Sequence, residues 1–460
     1  MTDTQERAPA PPSDGGGSGL DNYFKLTERG TTVGTEIRAG LTTFLVMAYI
    51  IFVNPSILSE AGFDAASVGA ATALVAGLLT ILMGVVANVP IAMAAGLGIN
   101  AAVAFGLVLT DGLTPEGAMG VIVLEGLIVA ALVLVGLREA IMHAVPLSLK
   151  RAIGVGIGLF ILFIGFVSGD LIAGTGAPDA PVAFVFPNTN EAWVTIVGLV
   201  ITVILYARKV PGSLIISILA TTVVALLWGV ANVPDSLSVA PSFDTLGAFD
   251  LGNVFTQLGF VAAALTIFSF MLTDFFDTMG TATAVTEQAG LTDEEGHIED
   301  IGKLLFVDSI GAAAGGAAGV SSNTSYIESS AGVAEGGRTG LTSVVVGVLF
   351  LIAIFLSPLA AIVPAQATAP VLILVGFLMA GLIKGIDFDD LEEGFPALLA
   401  IVLMPLTFSI TVGIGAGFVM YTLIKVVKGK AGEIHPLMWV VTVSFVIYFG
   451  QAVLGAAITG

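Results

Sequence analysis

The chain has 460 residues, of which 56% are hydrophobic and 11% charged, and its mean hydropathy is +1.02. Soluble domains carry roughly a quarter charged residues, so polar groups cannot cover this surface, lipid must be its solvent, and the backbone must pair within helices or a closed barrel. A net charge of −20, from 35 acids and 15 bases, argues against nucleic acid as a partner, and the absence of cysteine excludes disulfides and thiolate metal sites.

Residues 1–22 are rich in Pro, Gly and Ser with no apolar core, the composition of a disordered tail and not of a signal peptide. Apolar runs near twenty residues long follow, the length of a helical span and about twice that of a barrel strand. Segments one to seven are 37–57, 67–87, 90–109, 117–137, 145–167, 192–206 and 213–230. Segments eight to fourteen are 255–285, 302–318, 319–334, 341–361, 370–383, 396–410 and 412–427, and a further apolar stretch occupies 436–458. The expectation is an all-α polytopic membrane protein.

Basic residues set the orientation. With the N-terminus in the cytoplasm and strict alternation, all 15 bases fall on the cytoplasmic side. The outer loops 169–191 and 232–253 then hold acids and no base. This pattern supports fourteen crossings in a cell membrane; the stretch 436–458 either spans or lies in the membrane plane. The acid-rich surface suits a high-salt cytoplasm, which points to a halophilic prokaryote.

Fourteen divides into two sevens, and tandem duplication of an odd-numbered unit gives inverted halves. Both halves are irregular at their third segment. Segment three contains Met93-Ala-Ala-Gly-Leu-Gly-Ile-Asn100, broken by glycine. Segment ten, with Gly319-Val-Ser-Ser-Asn-Thr-Ser-Tyr-Ile-Glu328, is too polar for a lipid-facing helix. Paired interruptions of this kind mark transporter substrate sites. Each segment is expected to run extended and then begin a half-helix near Asn100 and near Ser325.

Ionisable groups inside spans are costly and functional by default. Those present are acids: Glu125 in segment four, Asp274 and Asp277 in eight, Asp308 in nine and Glu328 in ten. A mid-membrane site of carboxylates without Lys or Arg suits a neutral ligand rich in N–H donors, or a cation. Asp274 and Asp277 share a helical face at spacing three. Two such carboxylates in a low dielectric do not ionise together easily, which suits a proton carrier. Glu328 can bind N–H groups or close a capping box with Ser325. Asn100 offers a donor and an acceptor, or a simple N-cap. Asp308 divides between a proton relay and a structural bond, and Glu125 reads as structural.

Other patterns carry less. Gly154-x-Gly156-x-Gly158 lies inside a span with no strand before it and reads as helix packing. The acidic loop 293–300 with His297 reads as solvated rather than metal-binding, His143 and His435 sit at span ends, and neither cofactor nor metal is expected.

Six stretches together resemble the AzgA-like purine permeases, a branch of the xanthine/uracil permease superfamily. They are Gly34-Thr-Glu-Ile-Arg-Ala-Gly-Leu-Thr-Thr-Phe44 with 49–55, Gly96-Leu-Gly-Ile-Asn100, Asp274-Phe-Phe-Asp277-Thr278, Thr324-Ser-Tyr-Ile-Glu328-Ser329, Gly336-Gly-Arg-Thr-Gly340 and His435-Pro-Leu-Met438. The resemblance runs from about Phe24 to the C-terminal segment. It implies a UraA-like fold of two inverted seven-span repeats, with short strands and half-helices in spans three and ten. It further implies a core domain from 37–137 and 255–361, a gate domain from 145–231 and 366–429, and a homodimer.

The resemblance also implies import of adenine, guanine or hypoxanthine with protons by an elevator movement, and no enzymatic activity. Its implied base contacts are Gly98, Asn100, Asp274, Thr324, Ser325 and Glu328, with proton coupling at Asp274, Asp277 and Asp308. Gly98 would let the ligand approach. The alternatives are a uracil or xanthine permease, an anion transporter of the sulfate type on the same fold, a membrane enzyme and a passive channel. The mid-span acids oppose the anion reading, and no metal-spaced cluster supports the enzyme.

Overall fold

A computed structural model describes residues 19–135, 144–177, 180–233, 240–292, 298 and 301–459, with the side chains of 451–459 left aside. The chain begins with α1 (Gly19–Phe24), inside the stretch expected to be disordered. It is continued by a turn in which Asp21 accepts from the backbone and hydroxyl of Thr27, at 2.8 and 2.9 Å. Residues 1–18, His143 and most of the acidic loop with His297 lie outside the described residues.

Segments one, two and four form α2 (Val33–Met47) with α3 (Ile50–Ser59), α4 (Ala65–Val86) and α6 (Pro115–Leu134). Segment three is β1 (Met93–Ala95), a half-helix α5 (Leu97–Ala101) and a π-helix Ala102–Thr110. Segments five to seven are α7 (Leu147–Ser168), α8 (Asn190–Ala207) and α9 (Ser213–Leu227). The loop after α7 contains a hairpin, β2 (Ile172–Ala177) against β3 (Ala180–Phe184).

Segment eight starts later than the apolar run suggests. A short α10 (Leu251–Leu258) ends at Gly259, whose φ of 76° breaks the helix before α11 (Phe260–Ala289). Segment nine is α12 (Ile301–Ala317), and segment ten is β4 (Asn323–Ser325) followed by α13 (Ser329–Ala334). Segments eleven to fourteen are α14 (Gly340–Ala353) with a 3-10 extension, α15 (Ala365–Ala380), α16 (Leu391–Thr407) and α17 (Ile410–Val427). The last apolar stretch is α18 (Pro436–Thr459). Among the described residues, nine helices are long and apolar enough to cross a bilayer alone.

The packing partners repeat when segments are exchanged by seven. The contact of α6 with α12, four on nine, is matched by α14 with α4, eleven on two. Likewise α16 with α17 matches α8 with α9, and α7 with α16 matches α15 with α8. The self-matching contacts, α7 with α15 and β1 with β4, lie where the halves meet. The glycine run of α7 serves this packing: Gly158 faces Gly376 and Met379 of α15, and Gly156 faces Met404 of α16.

One buried carboxylate holds the first and second repeats together away from the strands. Glu36 on α2 is fully buried and caps the start of α14. Its oxygens accept from the N–H groups of Arg338, Thr339 and Thr342 and from the hydroxyls of Thr339 and Thr342, at 2.6–3.3 Å. A helix start leaves unpaired donors and a partial positive charge, and Glu36 satisfies both.

Candidate functional site

β1 and β4 pair antiparallel, with Met93 opposite Ser325, Ala94 opposite Thr324 and Ala95 opposite Asn323. Three-residue strands leave most edge groups unpaired, and in hydrocarbon each needs a partner. Side chains supply them. Thr80 Oγ1 accepts from Met93 N at 2.9 Å, Ser329 Oγ accepts from Ala92 N at 2.9 Å, and the Tyr326 hydroxyl donates to the Ala95 carbonyl. The antiparallel pairing sends α5 and α13 away from the strands in opposite directions. Helix α11 crosses them, touching α5, β4 and α13.

Three acids hold successive parts of the β4 segment. Asp274, 1% exposed, accepts from Ser322 Oγ at 3.2 Å. Asp277, one turn on, accepts from Thr324 Oγ1 at 3.4 Å. Asp308 on α12 accepts from Ser325 N at 3.1 Å, from Ser325 Oγ at 3.0 Å and from Thr278 Oγ1 at 2.8 Å. The two helical acids differ in access: Asp274 is buried, whereas Asp277 keeps exposed surface.

Glu328 is half-buried and accepts from the Tyr49 hydroxyl at 2.6 Å. It precedes α13 as the N-cap residue, yet makes no side-chain cap bond. The capping box with Ser325 is therefore not formed, because Ser325 is committed to Asp308. The half-helix starts at Ser329, not near Ser325. On the other side the cap of α5 is Gly96, so Asn100 lies within the half-helix and is not its N-cap. Asn100 is fully buried, and neither amide atom finds a hydrogen-bond partner among the described residues. Buried amides are normally paired, so an orphan one at a strand-to-helix junction stands out.

At Gly98 a side chain is excluded by protein: an added Cβ would sit 2.1 Å from Ile157 Cγ2 of α7. Its glycine thus lets α5 rest on α7. Thr324 is fully buried on the strand beside Asp277, and Glu125 is fully buried in α6. Tyr49 is the site residue that sequence reasoning passed over. Its signal was a tyrosine inside an apolar span, 1% exposed here, whose hydroxyl requires a polar partner. Thr278 and Ser322, the donors to Asp308 and Asp274, lie in stretches the sequence marks, but neither hydroxyl was singled out.

Residues 34–416 match the Permease family of xanthine/uracil permeases. The chain is 41% identical over 429 residues to the adenine permease AdeP of Escherichia coli (strain K12), covering 93% of this chain and 95% of that one. It is 40% identical over 444 residues to the guanine/hypoxanthine permease PbuG of Bacillus subtilis (strain 168), covering 94% and 99%. Among solved structures, the transmembrane domain of a cyanobacterium bicarbonate transporter, BicA, aligns with a TM-score of 0.60 at 15% identity, over 84% of this chain and 97% of that one. Murine Slc26a9, an anion transporter in the inward-facing state, aligns with a TM-score of 0.61 at 12% identity, over 92% and 74%. These two likenesses give the UraA-like fold. With its paired broken segments, its multi-pass apolar helices and these matches, the chain belongs to the xanthine/uracil permease family.

Proposed function

We propose that this chain imports purine nucleobases (adenine, guanine or hypoxanthine) together with protons, and that a core domain carries the base past a fixed gate. The feature that supports this most is the buried, unpartnered amide of Asn100, on the half-helix that α11 crosses with its carboxylates. An amide offers one donor edge and one acceptor edge, and carboxylates accept N–H groups. A purine base presents both kinds of group. The names of AdeP and PbuG favour adenine, guanine or hypoxanthine over uracil or xanthine.

The roles then divide by bonding and access: the Asn100 amide has no partner among the described residues, and Asp277 and Glu328 are the acids that keep exposed surface. Asn100, Asp277 and Glu328 contact the base. Asp274, Asp308, Thr324 and Ser325 hold the extended β4 segment in place, and Gly98 sets the distance of α5 from α7. Proton uptake belongs to the group Asp274, Asp277 and Asp308, with Asp277 the member open to water. Neutralising a carboxylate lowers the cost of moving it through a dry interface, since an unpaired buried charge is expensive. The moving core comprises 37–137 and 255–361 and the gate 145–231 and 366–429, with fourteen crossings and a cytoplasmic N-terminus.

Radiolabelled adenine, guanine and hypoxanthine uptake into vesicles tests the reading. Uptake should rise with an acidic exterior, collapse with a protonophore, and be lost in Glu328→Gln and Asp274→Asn. Competition by sulfate or bicarbonate without competition by purines would replace it with an anion transporter. Uptake indifferent to a protonophore would remove the proton coupling.

A further inference from the structure

Three irregularities meet at one point that the site chemistry does not use. Phe408, between α16 and α17, has φ +52° and ψ +27°, the left-handed region that bulky side chains rarely adopt. Its ring lies among Phe105 at 6.4 Å, Phe160 at 5.9 Å and Phe163 at 5.4 Å between centroids. Its carbonyl oxygen lies 2.9 Å from where a Cβ at Gly106 would be, so only glycine admits it there. Gly106 and Phe105 belong to the π-helix Ala102–Thr110, which continues directly from the half-helix bearing Asn100. π-helical stretches are rare and frequently mark functional sites.

Phe105 and Gly106 fall in the core stretch, and Phe160, Phe163 and Phe408 in the gate. We propose that Phe408 is a latch residue: its ring and carbonyl close the core–gate seam on the outer side of the base site, and the contact parts in every transport cycle. A strained backbone holding an aromatic ring in a seam is suited to release, because what is lost on parting is partly returned by relaxation. The proposal rests on the moving-core reading above.

The chain has no cysteine, so a Phe105→Cys/Phe408→Cys pair, which spans the same contact and leaves Gly106 in place, stands alone chemically. In proteoliposomes, oxidation of this pair should abolish purine uptake at least tenfold and a reductant should restore it, while equilibrium binding of labelled purine to the detergent-solubilised protein persists in both states. Reversible loss of transport with binding retained is not what a merely structural contact gives. Phe408→Ala, which removes the ring and keeps the turn, should raise outer-side thiol labelling of an added Ala104→Cys. Oxidised pair protein that transports as fast as reduced protein, or labelling unchanged by Phe408→Ala, would overturn the latch. Absence of purine uptake in the wild type would instead strike the transport reading itself.

Discussion

The hydroxyl of Tyr49 donates to Glu328 Oε1 at 2.6 Å, across a sequence separation of 279 residues. The bond joins the first span of one repeat to the half-helix of the other. It also fixes which way the carboxylate faces, in place of the local capping bond that the sequence allowed.

Tyr49→Phe removes that donor and little else. A hydrogen bond to a charged group is worth ~1.5–3 kcal/mol net, and each ~1.4 kcal/mol is tenfold in affinity. The KM for purine should therefore rise about tenfold or more, with a smaller change in maximal rate. Initial-rate uptake over a range of purine concentrations measures both; an unchanged KM would separate Tyr49 from the site.

Asp308→Ala should be severe. It leaves the Ser325 amide and the hydroxyls of Ser325 and Thr278 without their acceptor, and unsatisfied buried donors cost ~1–3 kcal/mol each. The melting temperature in detergent should fall and purine binding with it. Asp308→Asn keeps an acceptor oxygen, so it should recover most of the stability. Equal loss in both variants would mean that the charge, and not the bonding, is what matters.

Glu36→Ala tests the clamp on α14 far from the base site. Five donors at the helix start lose their acceptor, at a cost on the order of 3 kcal/mol or more. Thermal unfolding followed by tryptophan fluorescence should shift down by several degrees. Protein that survives at low temperature should still bind purine with near wild-type affinity.

At the start of α16, before its apolar part, Glu392 is held down to about 2 by hydrogen bonds from Lys425, Lys430 and Lys428. A depressed carboxyl stabilises above its unfolded pKa of about 4.3, and the benefit fades as pH falls toward the folded value. The melting-temperature gap between wild type and Glu392→Gln should thus be constant from about pH 8 to about pH 5 and narrow below about pH 4. Any pH dependence of uptake in the upper range then has another source. A gap that changes between pH 8 and 5 would show that this clip is not held as described.

The apolar segments were legible because the bilayer imposes a length on every apolar run. Each of the segments from 37–57 to 436–458 reappears as a helix or as a strand with a half-helix. The broken segments were visible from Gly96 and Gly98 and from the polar run after Gly319. Their internal boundaries were not. Asn100 and Ser325 look like caps in isolation, but strand pairing across the repeats moves the helix starts to Leu97 and Ser329. The hairpin β2–β3 arises in a stretch of mostly small residues that carries no strong β pattern. The partner of Tyr49, the left-handed turn at Phe408 and the different access of Asp274 and Asp277 are all set by distant packing, which a single sequence does not record.

Tyr326 and Ala95, bonded between the two short strands, are 231 residues apart. During synthesis at ~5–20 residues per second, the first strand therefore waits on the order of ten to fifty seconds for its mate. Through that interval a nascent chain carries bare amide edges into or beside the membrane. Until the ribosome delivers segment ten, the one partner among these bonds that segment three already has is the Thr80 hydroxyl of segment two.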